Sequence, residues 1–67
     1  MTVRLVEGDR VLLKDGIHGS IFEVFNDNSF GVDDAINDVI LYDVKRNDIL
    51  KKIFDYDTQQ QVNIFVN

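Results

Sequence analysis

The chain of 67 residues contains no cysteine and only one histidine, His18. The missing thiols exclude disulfides and any thiolate-held metal. So short a domain buries only about 60% of its unfolded surface, so it must hold together by packing, helped by self-association. Long apolar runs are also missing: no stretch approaches the roughly 18 apolar residues of a membrane span. The opening "MTVRLVEGDRV" carries charges at Arg4, Glu7, Asp9 and Arg10, which a secretory h-region does not. The expected residence is therefore cytoplasmic, away from membranes.

Basic residues are scarce: seven against twelve acidic ones, a net charge of −5. Such a field repels a phosphate backbone. The one basic cluster is Lys45, Arg46, Lys51 and Lys52, with Asp43 and Asp48 interleaved. It reads first as a solvated mixed-charge face.

What is present is a period-two apolar pattern. In "DRVLLK", Val11 and Leu13 share one face, and Arg10, Leu12 and Lys14 the other, as in a half-buried strand. "DGIHG" is a tight connection, and its glycines permit positive φ. "SIFEVF" is a second strand, apolar on both faces and so expected to bend or carry a bulge. "NDNS" is a turn and "FGVD" a short third strand; "DAIND" is a loop or one helical turn. "VILYDV" is a fourth strand, "KRND" a turn with room for 3₁₀ geometry, and "ILKKIF" a fifth strand. In the tail, "TQQQ" is polar, and then Val62, Ile64 and Val66 alternate with Asn63 and Phe65. The tail reads either as a disordered end or as a sixth strand added to a barrel edge, in its own chain or a neighbour's; an apolar segment of this kind is an aggregation hazard when exposed, so the ordered strand is expected. Several short strands around one core predict an all-β fold, most economically a small five-stranded barrel.

"EGDRVLLKDGIHGSIFEVF" resembles the opening of SH3-like barrel domains of the KOW type. The resemblance rests on Gly8, Asp9 and Val11, then Gly16 and Gly19, then Ile21 and Val24. "YDVKRNDILKKI" resembles the closing strands of that barrel. The likeness covers about residues 7 to 53 and extends to short bacterial single-barrel proteins. It implies an SH3-like barrel, expected over residues 1–57, and leaves the tail unexplained; residues 58–67 read from their own pattern as a polar linker and a C-terminal apolar strand or tail. KOW domains that bind RNA place basic residues around the glycine turn, whereas Lys14-Asp15-Gly16-Ile17-His18-Gly19 is nearly neutral.

No catalytic constellation emerges. His18 has Ser20 close by, but adjacent loop residues rarely present triad geometry, and a solvent-facing turn histidine is expected. Asp33, Asp34 and Asp38 are acidic neighbours, yet "DDAIND" lacks the glycine and terminal glutamate of a calcium loop. "GIHGSI" has the wrong spacing for a Walker loop and no lysine after its second glycine. No catalytic, cofactor or metal residue is assigned, and the chain is expected not to be an enzyme.

Of the aromatics, Phe22, Phe25, Phe30, Tyr42, Phe54, Tyr56 and Phe65, most are expected in the core. Phe22, Tyr42 and Tyr56, with Ile64 and Phe65 of the tail, are the candidate partner-binding residues. The expected function is a protein-interaction module that self-associates through its tail, with an unidentified protein partner. The alternative is a KOW-like nucleic-acid-binding domain using Lys14, Lys45, Arg46, Lys51 and Lys52.

Overall fold

The computed structural model describes residues 2–66. Six strands form one antiparallel sheet: β1 (Arg10–Leu13), β2 (His18–Asn26), β3 (Ser29–Asp34), β4 (Val39–Val44), β5 (Ile49–Asp55) and β6 (Gln60–Phe65). A single 3₁₀ turn, Arg46–Asp48, joins β4 to β5. Among the described residues no helix is long and apolar enough to cross a membrane.

Short-range chemistry makes the turns. Gly16, with φ of +95° and open space around it, supplies the left-handed residue that closes the β1–β2 hairpin. Asp15 Oδ1 accepts the Ile17 amide at 3.1 Å, and Asn26 Oδ1 accepts the Asn28 amide at 2.8 Å. At the 3₁₀ turn the Asp48 carboxylate accepts the Lys45 amide at 3.2 Å. His18 belongs to β2, opposite Leu12, rather than to the turn itself, and its side chain is exposed.

The strand order is β4-β3-β2-β1-β5-β6, and the sheet does not close. This corrects the expected fold: the five-stranded SH3-like barrel of the KOW type is overturned. Closure would need β4 to meet β5, but β5 already has β1 on one edge and β6 on the other. The strand from the tail thus takes the position a barrel seam would require. The glycine and Gly-Asp signals encode the β1–β2 hairpin, which an open sheet uses as readily as a barrel.

Shifts in register interrupt the ladders on both sides of β3. One extra β2 residue, around Phe22, sits opposite Gly31, and β4 carries an extra residue near Asp43, whose φ is +61°. The core contains Leu5, Val11, Leu13, Ile21, Phe30, Val32, Val44 and Ile49. Aromatics contribute less than expected. Phe30 is fully buried and Phe54 half-buried, whereas Phe22, Phe25, Tyr42, Tyr56 and Phe65 are exposed. β-branched residues and leucine fill the space instead.

Candidate functional site

The partner-binding candidates divide between the two edges of the sheet and one turn. On the β4 side, Phe22 lies on the face of β2 opposite Ile21 and meets Tyr42, with ring centroids 5.9 Å apart and planes perpendicular. Edge-to-face contact of this kind suits the aromatic quadrupoles. Between them lies Gly31 of β3, where a Cβ would come within 2.6 Å of the Phe22 ring. Glycine at 31 is therefore what lets Phe22 lie flat across the sheet toward β4. Ile40, two residues before Tyr42 along β4, extends this apolar surface, while Val39 is exposed and Ile36 in the preceding turn is 82% exposed. None of these three was singled out by residue type, although Ile40 shares alternation with Tyr42 along β4.

On the β6 side, Ile64 and Phe65 are exposed, and the Lys51 ammonium sits 5.5 Å from the centroid of the Phe65 ring. Val62 and Val66 are half-buried, and the Val66 amide donates to the Leu50 carbonyl at 3.0 Å. Tyr56 stands apart from both patches. Its ring covers Gly8, where a Cβ would lie 2.5 Å from Tyr56 Cδ1, so it acts as the lid of the Gly8 turn while half its surface stays exposed.

The basic residues do not form one surface. Lys52 is buried, and its ammonium donates to the Arg4 carbonyl at 3.0 Å, Asp9 Oδ2 at 3.5 Å and Asp55 Oδ1 at 2.7 Å. Asp9 is fully buried and also accepts the amides of Val6 at 2.9 Å and Tyr56 at 2.8 Å. A buried charge persists only when paired and hydrogen-bonded in this way. Arg46 reaches the carbonyls of Val3 at 2.7 Å and Asp27 at 2.9 Å, with its guanidinium 5.4 Å from the Phe30 centroid. Lys45 pairs with Asp43 at 2.8 Å, and Lys14 donates to Asn47 Oδ1 at 3.4 Å. Two of the five thus fasten the N-terminal segment to the sheet. The signal for Lys52 was present: neighbouring lysines on a strand point to opposite faces, so one of Lys51 and Lys52 had to turn inward.

Three carboxyls sit below the usual range. Hydrogen bonds from Lys52, then Thr58, hold Asp55 down to about 2. Asp43 is lowered by Lys45 and then by the Ser29 hydroxyl, which donates at 2.6 Å. Asp34 is lowered chiefly by the side-chain amide of Asn37 at 2.8 Å. Asp34 turns inward while Asp33 and Asp38 face solvent, and no group of three or more potential metal-ligating side chains occurs among the described residues.

A cavity of about 340 Å³ runs beside Leu41–Val44 of β4. Its opposite wall is the end of β1 with its turn, Leu13 to Asp15, together with Asp48. It lies between β4 and the β1–β2 turn, beside the 3₁₀ turn that leads into β5.

No family model, no curated protein and no solved structure matches this chain. Its function must therefore be argued from the surfaces themselves.

Proposed function

We propose that this chain is a non-enzymatic protein-interaction module of the cytoplasm that pairs with a second copy of itself through β6. The observation carrying this reading is the composition of that edge. β6 is the last strand of the sheet order, and residues 58–66 contain no charged residue and no proline. Natural edges are usually guarded by a charge, a proline or a bulge. Here, among the described residues, the one irregularity in the pairing of β6 lies between Gln61 and Ile64. Beyond it Ile64 and Phe65 present an exposed apolar pair beside free strand edge.

Two β6 strands related by a two-fold axis would pair antiparallel and extend the sheet across both copies. The molecular charge of −5 lies elsewhere in the sequence, so like-charge repulsion at the junction is small. Light scattering on size-fractionated protein tests this over a range of concentrations. The native chain is expected to have a dimer's mass and Ile64→Lys a monomer's, with the circular dichroism of the fold retained. A native chain that stays monomeric at every concentration overturns the reading.

A further inference from the structure

We propose that the β4 edge is a second docking site, which takes an extended basic peptide as an added strand with an arginine or lysine side chain in the adjoining cavity. This rests on the interaction-module reading above but concerns the opposite end of the sheet.

Three observations converge on β4. Among the described residues the strand pairs with β3 alone, so its other edge is available for a backbone ladder. The aromatic pair Phe22–Tyr42 and Ile40 form an apolar platform on the outer face of that edge. The cavity beside Leu41–Val44 opens along the same strand. Side chains of an added strand alternate, so one set would lie toward the platform and the other toward the cavity.

The cavity chemistry selects the charge of the occupant. Leu13, Leu41 and Val44 give it apolar walls, and Asp15, Asp43 and Asp48 bring three carboxylates to its lining. Asp15 and Asp48 accept backbone amides, of Ile17 and Lys45, which orients a carboxylate without removing its charge. Lys45 pairs with Asp43. Lys14, the one basic residue of the lining, donates to the neutral amide of Asn47 and keeps its charge, so the acidic excess there is that of Asp15 and Asp48 over Lys14. An arginine or lysine fits such a lining twice over, its aliphatic stem against the leucines and its cationic head among the carboxylates. The net charge of −5 favours the approach of a basic segment and opposes an acidic one.

The test is a titration of the isotope-labelled full chain with two blocked pentapeptides, Thr-Arg-Val-Arg-Thr and Thr-Glu-Val-Glu-Thr, followed by amide NMR shifts. The arginine peptide is expected to move the amides of Leu41–Val44 and of Lys14 and Asp15, and the glutamate peptide to leave them in place. The double variant Asp15→Asn with Asp48→Asn keeps an oxygen for the same backbone amides. It should weaken the arginine peptide by about fivefold, the effect of removing two exposed charge pairs. Three results each overturn the proposal: no β4 shift at millimolar peptide, equal shifts from both peptides, or full affinity in the double variant. Failure here with the β6 dimer intact removes this site alone. Arginine-peptide binding by a strictly monomeric native chain supports this site and removes the β6 pairing instead.

Discussion

The two edges of the sheet are fastened by different physics. β4 is held from inside, where Val44 enters the core opposite Phe30; Asp34 sets the turn that leads into it, and Asp43 accepts the Ser29 hydroxyl of β3. β6 contributes no fully buried residue of its own. It is carried by β5 and by the turn after Asp55, both tied to the buried Lys52–Asp9 pair. An apolar anchor tolerates gradual loss, because each methyl group adds its own increment. An ionic anchor does not, since removing one partner strands the other in a place without water.

Lys52→Ala tests the ionic side and carries the largest expected effect. It leaves the Asp9 carboxylate buried without its ammonium, at a cost of about 3–5 kcal/mol in urea unfolding. A cost below about 1 kcal/mol would place the anchor of β6 elsewhere. Val44→Ala probes the apolar side and should cost about 2 kcal/mol by the same measurement, from two lost methyl groups and the space they leave.

Acid acts on both sides of the sheet. Asp55 binds protons less readily folded than unfolded, with its folded value about 2 against 3.8. Its contribution is therefore complete above the unfolded value and is lost as pH falls from about 4 towards about 2. Urea midpoints across that window should fall in the native chain, and Asp55→Asn should flatten part of the slope. Asp43→Asn should remove a further part, contributed by the β4 side, because that carboxyl is shifted in the same direction. Tyr42→Ala, which deletes the edge-to-face contact with Phe22, should cost about 1 kcal/mol. The smallest effect belongs to Ile64→Lys. Measured on the monomer, its stability should stay within about 0.5 kcal/mol of native, since the site is exposed.

The strands were legible because their alternation is local. Val11 and Leu13, or Ile40 and Tyr42, announce a pleat within a few residues. Openness was not legible, because it depends on which strand takes the free edge of β5, a competition between segments far apart in the chain. Residues 60–65 win it. The candidate site was legible in part. Phe22 and Tyr42 were chosen for aromatic character, and the fold brings them into contact. Gly31, which makes that contact possible, looked like an ordinary strand residue, since nothing local shows that a ring must cross there. Lys52 was misleading by composition, appearing beside Lys51 as half of a basic pair. Its partner Asp9 lies 43 positions earlier, beyond the reach of any local pattern.

The Asp9 node also sets an order of events during synthesis. Its carboxylate waits for the ammonium of Lys52 and the amide of Tyr56, 43 and 47 positions later. Until those residues have been made, the turn ahead of β1 holds a carboxylate without the ammonium it is buried against, and water is its better environment. The first strands can form a hairpin early, but the segment before them cannot dry out. Contacts of such long separation are slow to close, so the segment ahead of β1 is expected to be sealed only after β5 and the turn that follows it are in place.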